Sequence, residues 1–193
     1  MMEHPDVYRG IHKALRRRLF QLCLQAGTLD GAEAYQREAL AHAWESLVAS
    51  LRAHTLHEER FLHPLLSREP GLRTTLEEGH EAHEQALAVL EQLLARLCST
   101  AQEASARALA HDFYRALCAF TGDYLVHLEA EEGEARAALA RHCTPAEVEH
   151  VQRLLLEAMS EQERTRDLLD MLDAASPPEA AALLRVVAEG GKA

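Results

Sequence analysis

The stretch that decides the fold is Leu51-Arg52-Ala53-His54-Thr55-Leu56-His57-Glu58-Glu59-Arg60-Phe61-Leu62-His63-Pro64-Leu65. With Leu40, Trp44 and Leu47 before it, it sets Leu51, His54, Glu58, Phe61 and Leu65 at alternating steps of three and four residues. That spacing holds one face of an α-helix toward a packed core. The stripe is apolar except at His54 and Glu58, which stand one turn apart on the same face. A histidine and a carboxylate in a buried stripe must find partners, because burying an unpaired charge is very costly.

Three further stripes follow the same rule. The first helix carries Tyr8, His12, Leu15, Leu19, Leu22 and Ala26. The third carries Leu76, His80, His83, Leu87, Leu90, Leu94 and Leu97, and the fourth Leu109, Phe113, Ala116, Phe120, Tyr124, His127 and Glu131. Helices are expected over 5–26, 31–67, 72–98, 104–142, 145–174 and 177–189. Asp30 with Glu33, Thr144 with Glu147 and Ser176 with Glu179 fit capping boxes, and Pro145 and Pro177 suit the first helical position. Gly27 and the Glu69-Pro70-Gly71 turn mark stops. The sequence is rich in Ala, Leu, Glu and Arg, and only 5% of it is aromatic, which favours helix over strand. The expected fold is all-α: an antiparallel up-down-up-down four-helix bundle over 1–143, with a C-terminal helical extension over 144–193 packed on the bundle or a second subunit.

In such a bundle the polar residues converge. His12, Glu58, His80 and Glu131 lie about seven, nine, eight and eleven residues from one shared end, or roughly 10–17 Å at about 1.5 Å per residue. His54/Glu58, His80/Glu84 and His127/Glu131 each pair a histidine with a carboxylate one turn later. Nitrogen and carboxylate donors without thiolate suit iron, with manganese, zinc or cobalt as competitors. The donors are too many for one tetrahedral ion, so two ions are expected, bridged by two of the glutamates. His57 flanks the stripe as an orienting partner, Glu59 and Glu132 are expected to be solvated or to orient a ligand from behind, and His63, about 180° round the helix from His54, should be exposed. His42, His111, His142 and His150 fall off the stripes and belong to the surface. Tyr8 and Tyr124 either pack or donate to a bound oxygen species. A ferritin-like arrangement fits less well: Glu77/His80 and Glu147/His150 match its local pattern, but Glu147 is a cap and the first helix has no inward glutamate.

The run from His54 to Leu65 resembles the HxxxEExxLxP second helix of hemerythrin-like (HHE cation-binding) domains. His127-Leu128-Glu129-Ala130-Glu131-Glu132 resembles their HxxxEE fourth helix, and Thr144-Pro145-Ala146-Glu147 the (S/T)PxE start of the next. The similarity covers roughly 5–155. It implies a non-haem di-iron site with His12, His54, Glu58, His80, His127 and Glu131 as ligands and Glu58 and Glu131 as bridges. His83 and Glu84 compete for the remaining position. Glu132 would replace Glu131 if the chain followed the oxygen carriers, where the acid sits five residues after its histidine. The implied function is binding or sensing of O2, NO or iron. The alternative is a di-iron redox enzyme acting on peroxide or NO, or repairing iron–sulfur clusters.

Composition excludes other classes. A formal net charge of -11, from 20 basic and 31 acidic residues, disfavours nucleic acid, and Arg16-Arg17-Arg18 is too short to reverse it. No apolar run reaches about 18 residues, so no membrane span is expected. Met1-Met2-Glu3-His4-Pro5-Asp6 has no signal-peptide character. Cys23, Cys98, Cys118 and Cys143 form no CxxC pair and read as reduced thiols of a cytoplasmic protein. Leu168, Leu169, Leu172, Leu183, Leu184 and Val187 leave apolar surface for the bundle or for a homodimer.

Overall fold

The computed structural model describes residues 4–190, without the side chains at 187, 189 and 190; the Met1-Met2-Glu3 start and the Val187 side chain lie outside it. Among the described residues there are helices and no strand. Four long helices form the core: α1 (Arg9–Thr28), α2 (Ala34–His57), α3 (Pro70–Ser99) and α4 (Glu103–Ala130). Shorter ones follow: α5 (Arg136–His142), α6 (Pro145–Ala158), α7 (Glu161–Ala174) and α8 (Pro177–Gly190). None is long and apolar enough to cross a membrane.

Each core helix touches two neighbours, and the contacts run in opposite senses. Arg18 on α1 meets Ser46 and Ser50 on α2, whereas His12 lies against His54. His12 meets Glu132, Cys23 meets Thr121 and Gly27 meets Tyr114 along the α1/α4 seam. The interior carries the expected stripes: Leu15, Leu19, Leu47, Leu90, Leu97 and Phe113 are at most 1% exposed. Truncating one such leucine to alanine would cost about 2–5 kcal/mol. Trp44 packs edge-on against Phe113 at the end away from the polar layer, 5.6 Å between centroids. A second cluster closes the polar end, built from Tyr8, Leu62, Leu66, Leu76, Ala135 and Leu139.

The structure departs from the expected helices in five respects. Helix 145–174 is two helices, because Ser160 forms a second capping box with Glu163 and ends the first at Met159. Asp30 caps no helix; its Oδ1 accepts from the Ala32 N–H in a turn, and α2 begins at Ala34. Gly27 does not stop α1, which runs on to Thr28, and Pro70 opens α3 rather than closing its predecessor. The Thr144/Glu147 box forms as expected.

The fifth departure matters most for the site. Glu58–Leu62 and Glu131–Ala135 are π-helical, each beginning at a stripe glutamate. The His63 N–H donates to the Glu58 carbonyl and the Arg136 N–H to the Glu131 carbonyl, both spanning five residues. A π turn advances roughly 80° per residue instead of about 100°, so five residues lag by roughly a quarter turn. His63 is therefore swung from the outer face to the inside and is fully buried, not exposed.

Candidate metal centre

Two buried carboxylates occupy the middle of the layer, and each turns one oxygen to each side. Glu58 Oε1 lies 3.2 Å from His54 Nε2 and 3.6 Å from His12 Nε2, while its Oε2 lies 3.5 Å from His80 Nε2. Glu131 Oε2 lies 3.5 Å from His12 Nε2, while its Oε1 lies 3.0 Å from His127 Nε2 and 3.6 Å from His80 Nε2. Two imidazoles thus face one side of the carboxylate pair and two the other. His12, His54, Glu58 and Glu131 can each supply a donor atom within 4.8 Å of the others, and so can His63, His80 and Glu131.

These atoms are close but not hydrogen-bonded. His12 Nε2, His54 Nε2, His127 Nε2 and all four oxygens of Glu58 and Glu131 are buried without a hydrogen-bond partner. Leaving so many polar atoms unsatisfied would cost about 1–3 kcal/mol each. A cation on each side of the carboxylates satisfies all of them at once. Donors at about 2.0–2.2 Å from an ion stand roughly 3.0–3.6 Å apart in tetrahedral or octahedral arrangement, which is the spacing found here. The donor set therefore fits two metal ions.

Orienting partners hold the outer nitrogens. His12 Nδ1 pairs with Glu132 Oε1 and His80 Nδ1 with Glu59 Oε1, each at 3.0 Å. A carboxylate on Nδ1 leaves the Nε2 lone pair for an ion and fixes the ring. Arg16 in turn donates to Glu132. His57 does not orient a ligand; it is half-buried, its ring tilted against Phe61, on the side of Glu163 and Asp167 of α7.

Protein charges set the protonation of the layer. Burial alone would lower His12, but Glu132 and Glu58 raise it to about 9. His80 is raised to about 10 in the same way by Glu131 and Glu58. Burial pushes His54 down to about 4. Burial opposes the charge on Glu58, yet His54, His12 and His80 hold its carboxyl well below the usual range. Glu131 is likewise held low by His127 and His80, against burial and the Glu58 charge.

Helix α3 resolves its competing residues. His83 is buried against His127 and Tyr124, ring centroids 4.9 and 4.8 Å apart, with Nδ1 unpartnered, though outside both donor groups. Burial, with His127 and His80 beside it, lowers it to about 4. Glu84 does not join the layer. One residue further round the helix, it points outward and pairs with Arg52, Oε1 to Nη2 at 2.6 Å. Glu132 acts on His12 Nδ1, so Glu131 and not Glu132 faces the carboxylate Glu58.

Sequence reasoning missed two participants. His63 stacks on His80, planes 5° apart, with neither ring nitrogen hydrogen-bonded, though Nδ1 lies 3.6 Å from Glu77 Oε1. Its one signal is negative: nothing but a widened turn could bring it in. Gly79 is the other, since a Cβ there would stand 2.7 Å from His127 Nδ1. Tyr8 packs as core and also keeps its hydroxyl unpartnered, 5.2 Å ring to ring from His12. Burial raises its pKa, with Glu58 and Glu131 adding to the shift. Of the surface histidines, His42 is exposed and His142 pairs with Glu69 at 3.0 Å.

A family model described as the hemerythrin HHE cation binding domain matches residues 5–139. No curated protein and no solved structure matches the chain.

Proposed function

Because the chain belongs to the hemerythrin HHE cation-binding domain family, we propose that it is a non-haem di-iron protein that binds or senses O2, NO or iron. The observation that carries this reading is the split of Glu58 and Glu131, each with one oxygen toward either imidazole pair. His12 and His54 would hold one iron, and His80 and His127 the other, with His63 or His83 completing the second set. When bound, the iron pair supplies Lewis acidity, a redox change and an open coordination position; manganese or zinc would fit the same donors.

The chain's own residues do the rest. Glu132 and Glu59 orient His12 and His80 through their Nδ1 atoms. Tyr8, Leu62, Leu66 and Leu139 keep water from the end of the layer. The Tyr8 hydroxyl is a free donor beside the carboxylates, placed to give a hydrogen bond to a small oxygen-containing ligand.

Reconstitution of the full chain with ferrous iron under anaerobic conditions tests the proposal. Two irons per chain by elemental analysis are expected, and a chain that takes up none overturns it. A long-lived coloured adduct with O2 or NO supports binding. Rapid turnover of peroxide or NO moves the reading to a di-iron redox enzyme. Leu154, Leu169 and Leu184 are 40–58% exposed on α6, α7 and α8; a homodimer through them is a separate proposal, tested by the solution mass of the full chain.

A further inference from the structure

Away from the polar layer, two cysteines meet across the α1/α4 seam. The register is fixed by Gly27, where a Cβ would stand 3.0 Å from the Tyr114 ring. One turn back on α1 is Cys23, and one turn on along antiparallel α4 is Cys118. Cys23 Sγ lies 3.3 Å from Thr121 Oγ1, the next residue on the same face of α4. Cys118 lies near enough to Cys23 and to Tyr114 to raise the pKa of each. Cys118 is exposed and Cys23 half-buried. The other thiols lie elsewhere: Cys98 donates toward the Arg37 carbonyl, and Cys143 follows α5 beside Glu147.

A disulfide needs Cα atoms about 4.4–6.8 Å apart with the side chains turned toward each other. Cys23 and Cys118 hold facing positions one turn from the close approach of Gly27 to Tyr114, where the two helices come near enough for such a bridge to be tried. We propose that Cys23 and Cys118 are a redox-active dithiol, closed to a cross-helix disulfide by a hydroperoxide. Exposed Cys118 reacts first: its thiolate attacks a peroxide oxygen, the O–O bond breaks, and a sulfenic acid and hydroxide form. The Cys23 thiolate then attacks the Cys118 sulfur, the S–O bond breaks, and a second hydroxide leaves. The two thiol protons convert both hydroxides to water. Two thiols lose two electrons to become one disulfide, and one hydrogen peroxide becomes two waters.

The roles follow from position. Burial and the neighbouring Cys118 raise the Cys23 pKa, so it is the slower of the two toward peroxide, and the Thr121 hydroxyl opposes that rise by hydrogen bonding to its sulfur. Cys23 is eleven residues along α1 from His12, about 16 Å by helical rise, so the dithiol is separate from the metal layer.

Mass spectrometry of the reduced full chain after one equivalent of hydrogen peroxide tests this. The expected product has lost about 2 Da, keeps two of its four thiols, and yields a peptide joining Cys23 to Cys118 that dithiothreitol separates. Cys118→Ser should abolish the link, and Cys23→Ser should leave Cys118 about 16–32 Da heavier. Peroxide that over-oxidises Cys118 in the unaltered chain while Cys23 stays reduced overturns the proposal. So does a link that instead joins Cys98 or Cys143.

Discussion

Gly79 and His127 leave no room between them for a methyl group, since a Cβ on Gly79 would come within 2.7 Å of His127 Nδ1. The bare backbone of α3 is the wall against which the ring rests, with Nε2 3.0 Å from Glu131. Gly79→Ala should therefore push the ring off its carboxylate. The expected loss is about 10–100-fold in metal affinity on the His80/His127 side. Alanine is also the better helix former by about 1 kcal/mol, so chelated protein should melt no lower than wild type. Elemental analysis after a chelator challenge, beside a thermal melt, separates the two effects.

Glu58 and Glu84 make a matched pair of controls. Glu58→Gln removes the charge that faces both imidazole sets and should drop bound metal from two ions per chain to one or none. Glu84→Gln breaks only a solvated pair with Arg52, where contributions are about 0–1 kcal/mol. Its metal content and melting point should match wild type. Equal metal loss in both variants would refute the placement of Glu84.

His63→Leu tests the widened turn. The substitution keeps an apolar filler against His80 and removes both unpartnered nitrogens. If His63 completes the second donor set, half the metal should leave to a chelator at least tenfold faster, while the His12/His54 half stays. Unchanged release kinetics would make His63 a packing residue.

Metal uptake should release protons. With pKa values of about 9 and 10, His12 and His80 carry their protons at neutral pH and must give them up to bind an ion. His54 and His83, at about 4, are already neutral. About two protons per chain should appear near pH 7 when both sites fill. Protons compete with metal, so affinity rises with pH, flattens above about 10, and falls more steeply toward pH 4 as His54 and His83 begin to protonate. Calorimetry in buffers of differing ionisation enthalpy counts the protons. A release near zero would mean the raised values are absent.

The stripes made His54, Glu58, His127 and Glu131 legible because the helical period holds intact up to each glutamate. It fails at the next step, since both π segments begin there. His63 lies beyond that break, and periodic reading sent it outward. Glu59 and Glu132 sat off the stripe, where the pattern left them either solvated or behind a ligand; helix spacing decides for the second, each reaching the back of a histidine on a neighbouring helix. His83 and Glu84 were separable only once α3 was rotated in place, which puts 100° between them. Gly79 gave no signal, because what it makes room for belongs to α4. Ser160 with Glu163 did give one, the same capping signature seen at Thr144, and it ends α6 in the middle of an otherwise unbroken helical stretch.

The run Arg16-Arg17-Arg18, with its neighbours on α1, has a different consequence. No residue of α7 is fully buried. Met171 packs against Gly10 of α1, and the rest of the hold includes Arg18 to Asp170 at 2.9 Å and Arg17 to Asp173 at 3.2 Å, while Glu179 at the start of α8 takes Lys13 at 2.6 Å. The Debye length shrinks from about 8 Å at physiological ionic strength to about 3 Å at 1 M. Ionic strength should then act on this chain regionally: amide exchange across 161–174 quickens with added salt while α3, fastened by apolar burial, keeps its protection. The C-terminal helices should then act as a clasp that added salt loosens before it loosens the bundle.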